Sequence, residues 1–169
     1  VDNRKHCTPP RNQGSCGGCW TFASSALSEI IQHKTSGSSV PPTAVGWLAP
    51  QALLDCVHPN ISRRLAAFGC FGGQPSEAID YIVANGIATE ATYRYDQMTG
   101  RYCNMQEKDV VTVRPLGARV VVPALNATAM MQAVAHFGAV VVEVNDAPFA
   151  FWAGGGGSED VFDDPSCTP

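Results

Sequence analysis

The chain has 169 residues, 45% of them hydrophobic and 15% charged, with a net charge of −4. That balance describes a chain able to bury a real core, as one domain or as two small lobes. It carries neither the basic patch of a nucleic-acid binder nor the lysine and arginine clusters of an anionic-membrane binder, and no apolar run nears the roughly 18 residues of a membrane span.

Residues 1–17 are rich in Pro, Gly, Asn and Cys and read as an extended lead-in, with Val1 as a processed start. Phe22, Ala23, Ala26, Leu27, Ile30 and Ile31 recur at helical spacing, predicting a helix over 19–34 that faces inward on those residues and stops at Gly37. Pro50 opens a short helix over 51–57, with Leu53 and Leu54 inward. Residues 58–74 read as a polar loop bearing cysteine and glycine. Pro75 opens a third helix through Ala78, Ile79, Ile82 and Val83, and Gly86 ends it. The valine-rich stretch 109–122 predicts a strand. Asn126 or Thr128 caps a helix reaching Gly138, and residues 139–144 predict a further strand. Helices first and strands second give an α+β chain in two lobes, divided as 1–108 and 109–169.

Seven cysteines are many for this length and fit an oxidising compartment, lysosomal, vacuolar or secreted. The sequons at Asn60 and Asn126 are candidate glycosylation sites on such a route. An odd count leaves at least one cysteine without a disulfide partner inside the chain.

The segment 12–22, Asn-Gln-Gly-Ser-Cys-Gly-Gly-Cys-Trp-Thr-Phe, carries the chemistry. A thiolate rather than a thiol is the nucleophile, and the unpaired N–H groups and dipole at a helix start favour an anion there. Cys19 falls at that place, with Gly17 and Gly18 allowing a tight turn before it. Gln13 can donate its side-chain N–H to an oxyanion, with the Cys19 backbone N–H as a second donor. Cys16 and Cys19 by themselves also fit a redox pair or half a zinc site. The flanking Gln13 and Trp20 weigh against both, and neither metal nor cofactor is expected.

Cys16-Gly17-Gly18-Cys19-Trp20 resembles the signature of the papain-like cysteine peptidases, the cathepsin group. The likeness continues in chain order. Val1-Asp2-Asn3-Arg4 is similar to the family's mature start, with Asn3 in place of tryptophan. Gln51-Ala52-Leu53-Leu54-Asp55-Cys56 is similar to its second helix, Gly69-Cys70-Phe71-Gly72-Gly73 to its G-C-x-G-G segment, and Tyr93-Arg94-Tyr95 to its Y-P-Y segment. The resemblance implies a two-lobe papain-like fold with a complete helical lobe (1–108) and the first part of a β-barrel lobe (109–169). It implies a thiol endopeptidase with Cys19 as nucleophile and Gln13 as oxyanion donor. Gly72, Gly73 and Gln74 would line the cleft for a peptide or protein substrate. It also implies disulfides pairing Cys16 with Cys70 and Cys56 with Cys103, and a partner for Cys167 beyond this chain.

The family's histidine base and its orienting asparagine have no counterpart here. His136 lies nearer to Cys19 than the base's expected place, roughly 130 to 150 residues downstream, and reads as a helix-end residue. His33 and His58 read as surface positions. The base and asparagine would come from a segment outside this chain, such as a second chain. If residues 139–144 alternate faces, with Val140, Val142 and Val144 on the core, Glu143 falls on the face that the resemblance makes a wall of the cleft, where it favours a basic or polar side chain next to the scissile residue; a one-residue shift leaves Glu143 in solvent instead. The rival reading is a non-catalytic papain-fold scaffold or binding component of a larger assembly. A pure scaffold has no physical need of both Cys19 and Gln13.

Overall fold

Helix α1 spans Cys19–Ser36 and ends at Gly37, whose φ of 62° is the left-handed conformation that glycine adopts without strain. A computed structural model describes residues 4–37, 46–57, 69–98, 102–111 and 119–144. Helix α2 is Pro50–Cys56, α3 is Pro75–Asn85 and α4 is Ala127–Phe137. Strand β1, Ile87–Ala88, pairs antiparallel with β2, Val110–Val111, with Ile87 opposite Val111. Single turns of 3-10 helix lie at Arg4–His6, Gly69–Phe71 and Glu107–Asp109.

The buried stripe of α1 is not the predicted one. Trp20, Thr21, Ser24, Ser25, Ser28, Glu29 and His33 are buried, whereas Phe22, Ala23, Ala26, Leu27, Ile30 and Ile31 are only partly buried. The reason is size rather than polarity. The Ser24 and Ser28 hydroxyls each donate back to the carbonyl four residues earlier, at 2.8 Å. Self-satisfied in this way, the serines are small enough to let α2 and α3 pack closely against the helix. His33, expected on the surface, is 7% exposed, with its Nδ1 2.7 Å from Nδ1 of His6.

All seven residues of α2 are buried, so this short helix is core on every side. Trp20, Leu48, Leu53, Ala78, Ile82 and Ile87 meet in one cluster that joins α1, α2, α3 and β1. Disulfides join Cys16 to Cys70 and Cys56 to Cys103, the pairs the resemblance implies. Asn126 caps α4 by accepting the Ala129 N–H at 2.9 Å. Among the described residues no helix is long and apolar enough to cross a membrane.

The two predicted strands correct less well. Only Val110–Val111 of the first is strand among the described residues, and 112–118 lie outside them. Residues 139–144 form no ladder among the described residues. The expected alternation fails there, because Val142 is 53% and Val144 65% exposed. A β-prone run becomes a strand only when a neighbouring strand takes up its backbone groups.

A buried ion pair fastens the lead-in to this core. Glu29 on α1 accepts Arg11 at 3.2 Å, the Leu48 N–H at 2.8 Å and the Thr8 hydroxyl at 2.9 Å. Arg11 also donates to the Leu48 carbonyl at 2.9 Å. Burial pushes the Glu29 carboxyl above its ordinary value, opposed by Arg11, the Leu48 N–H and Thr8. Removing one partner of such a pair strands a buried charge. We expect Arg11→Met to cost about 3–5 kcal/mol in chemical denaturation at neutral pH. Because the folded carboxyl binds its proton more readily than the unfolded one, stability rises as pH falls through the folded value. The penalty therefore shrinks toward mildly acid pH; a penalty independent of pH would contradict the role given to Glu29.

Candidate active site

Cys19 is the first residue of α1 and is an exposed free thiol. Gly18 caps the helix without a side chain, and its carbonyl accepts the N–H groups of Thr21 (2.9 Å) and Phe22 (3.2 Å) and the Thr21 hydroxyl (2.8 Å). The Cys19 and Trp20 N–H groups at this end have no intrahelical acceptor, which is the ordinary state of a helix start and the basis of anion binding there.

The segment 69–74 runs beside this helix start. Cys70 is bonded to Cys16, and its carbonyl accepts the Gly17 N–H at 2.9 Å. A Cβ on Gly17 would lie 2.6 Å from that oxygen, so only glycine fits. Trp20 donates its indole N–H to Gly69 O at 3.1 Å, and a Cβ on Gly73 would meet its ring at 2.6 Å. Gly72, at φ 113°, and Gly73 are partly buried. Gln74 is the N-cap residue of α3, in extended conformation, with no hydrogen bond from its side chain into the helix. Cys16 is committed to Cys70, so the redox-pair and half-zinc readings of Cys16 with Cys19 fall away. No group of three or more His, Cys, Asp or Glu among the described residues could hold a metal ion.

Gln13 is partly buried, on the turn leading to Cys16. Its carbonyl accepts the Tyr95 hydroxyl at 2.7 Å. Its carboxamide makes no hydrogen bond among the described residues. Tyr95 was not visible from the sequence as a partner, since the two residues are 82 apart and no local pattern links them.

The histidines gather elsewhere. His33 sits 14 residues along α1 from Cys19, about 21 Å away at the helical rise. His6 is bonded to it. Lys34, one residue further on, donates to the carbonyls of Ala135 (3.1 Å) and His136 (2.9 Å) at the end of α4. His136 is exposed there, its ring packed edge-on to Phe137. The three described histidines thus share the far end of α1, and none serves Cys19.

Glu143 is exposed, and the alternation that placed it on the cleft is not seen. Asn126 is exposed and uses its side-chain oxygen as the α4 cap. His58, Asn60 and Cys167 lie outside the described residues.

The sequence pattern of papain family cysteine proteases matches residues 1–169, and the chain belongs to that family. Among its relatives, mouse cathepsin 7 is 33% identical over 99% of this chain and 46% of that protein. Caricain from Carica papaya is 34% identical over 99% of this chain and 43% of that protein. A Carica candamarcensis cysteine protease solved in complex with E-64 superposes with a TM-score of 0.59 at 33% identity, covering 80% of this chain and 58% of that one. A digestive procathepsin L 3 from the Tenebrio molitor larval midgut gives 0.62 at 25% identity, covering 80% and 40%. The fold is therefore papain-like, helix-rich, with its helical lobe and part of the other lobe. The chain spans about half the length of the curated relatives it matches.

Gly17 gives a direct test of this geometry. We expect Gly17→Ala to cost about 1–3 kcal/mol in thermal unfolding, because the obstructing atom is backbone and cannot swing aside. Alkylation of Cys19 by iodoacetamide should change rate with it; unchanged melting and labelling would mean the Cys70 carbonyl is not where the structure puts it.

Proposed function

We propose that the chain carries the nucleophile-bearing part of a thiol endopeptidase. The Cys19 thiolate attacks a peptide carbonyl and expels the amine, leaving an acyl group on sulfur that water then removes. The Gln13 carboxamide and the Cys19 N–H hold the oxyanion. A histidine oriented by an asparagine, both supplied by a segment not in this chain, takes the thiol proton and returns it to the leaving amine. Gly72, Gly73 and Gln74 form the neighbouring wall on which an extended substrate backbone lies. The division into a nucleophile lobe, 1–108, and a β-rich lobe, 109–169, belongs to the same reading.

One observation carries this: a free, exposed Cys19 at a helix start that no side chain caps, with a Gln13 carboxamide on the adjoining turn that makes no hydrogen bond among the described residues. A scaffold role would leave both groups without a purpose. The two disulfides, and an exposed Asn126 in a sequon, favour a lysosomal, vacuolar or secreted setting.

In the full-length natural protein, Cys19→Ala should lower peptide hydrolysis by ~10³-fold or more while leaving the melting temperature close to that of the parent. Iodoacetamide should label Cys19 well before Cys7, as read by peptide mass mapping. Hydrolysis that survives Cys19→Ala would reject the nucleophile. Absence of any hydrolysis, with Cys19 labelling no faster than Cys7, would favour the scaffold.

A further inference from the structure

The turn that carries Gln13 has few fastenings of its own. Asn12 accepts the Gly14 N–H at 2.7 Å, a contact local to the turn. The remaining described contacts come from one distant segment. Tyr95 donates its hydroxyl to the Gln13 carbonyl at 2.7 Å, and Gln97 Oε1 accepts the Ser15 N–H at 3.2 Å. The Gln97 side chain also lies over Gly14, where a Cβ would overlap its Oε1 and Cδ. A Cβ on Gly18 would come within 3.6 Å of the Tyr95 hydroxyl, so that hydroxyl stands between the Gln13 turn and the cap of α1.

This segment is itself anchored in the core. Buried Gln51 donates to Met98 O at 2.9 Å and accepts the Asp96 N–H at 3.3 Å. Tyr93 donates to buried Asp55 at 2.8 Å, and Tyr95 N–H donates to Glu90 at 2.7 Å. The Tyr95 ring packs edge-on to Phe22 of α1, with centroids 4.8 Å apart. Gln97 holds φ at 63°, a conformation uncommon for a residue with a side chain. Glycine would take that conformation more easily, so a glutamine there needs a local reason. Its contacts with Gly14 and Ser15 supply one.

We propose that Tyr95 and Gln97 are positioning residues for the oxyanion donor Gln13, transmitting the rigidity of α2 to the turn that aims its carboxamide. The inference rests on the oxyanion role assigned to Gln13. Neither side chain touches the reacting atoms; both act through the Asn12–Ser15 turn.

The test uses the full-length natural protein and a peptide-amide substrate. Tyr95→Phe removes the hydroxyl and keeps the ring on Phe22. Gln97→Gly removes the contact with Ser15 while relieving the left-handed backbone, so stability should hold or rise. We expect each to lower kcat and kcat/KM together by about tenfold with KM little changed, as a donor displaced in the transition state alone requires. Gln97→Glu, which keeps the acceptor, should restore most of the rate. The Ser15 amide should exchange faster in Gln97→Gly. In a Gln13→Ala background, itself slower by about 10²–10³-fold, neither variant should cost anything more. Wild-type kcat in both variants, an unchanged Ser15 amide, or losses that add to that of Gln13→Ala would overturn the proposal while leaving Gln13 in its role. A Gln13→Ala variant with full activity would instead remove the oxyanion reading, and the positioning role with it.

Discussion

The bond between Cys16 and Cys70 decides where the start of α1 can be. It closes a loop of 54 residues, which in the chain-entropy account restricts the unfolded ensemble by about 4 kcal/mol. Its local effect matters more for the site. With the sulfurs joined, the Gly17 N–H reaches the Cys70 carbonyl, and the indole of Trp20 reaches Gly69. Three contacts within five residues then fix the first turn of α1 against the segment 69–74. The glycines at 17 and 73 follow from that closeness, since each faces an atom that a methyl group would strike. The Cys19 thiol, which lies between the Gly17 and Trp20 contacts, is left exposed by construction, not by looseness.

Helix α1 works as a two-sided element. Its small polar side, Ser24, Ser25 and Ser28, is fully buried against the rest of the helical core. Its apolar side is half covered, with Ile30 and Lys34 reached by Gly138 at the end of α4. The usual expectation puts the apolar stripe inward. Here close helix packing rewards small residues on one side and leaves the larger ones to meet the later part of the chain. Along its length the same helix separates chemistry: the exposed thiol lies at one end, and the three described histidines lie at the other.

The sequence made legible whatever is local. Proline at helix starts, glycine at helix ends and the Asn126 cap placed all four helices to within about two residues. The resemblance carried the disulfide pairs and the neighbourhood of Cys19. Non-local matters were out of reach. Burial of His33 depends on His6 arriving from the lead-in, and the contact of Tyr95 with Gln13 crosses 82 residues. The strand readings erred for a related reason. Valine content reports fitness for a sheet, whereas Val142 and Val144 need a partner edge to be covered, and none lies beside them among the described residues.

The buried polar groups of this core are not incidental to the site. Gln51 and Asp55 lie on a helix buried on all sides, where an unpaired amide or carboxylate costs on the order of 1–3 kcal/mol. Their partners are Met98, Asp96 and Tyr93, all in the 93–98 segment. That segment cannot drift without leaving those groups unsatisfied, so desolvation adds to the packing of Tyr93 and Tyr95 against the core in enforcing its position. The Gln13 turn, half exposed and short of internal bonds, inherits its position from there. The Arg11–Glu29 pair restrains the same lead-in from its other side. Between the two anchors the carboxamide of Gln13 and the sulfur of Cys19 make no hydrogen bond among the described residues, which is what the proposed oxyanion donor and nucleophile require.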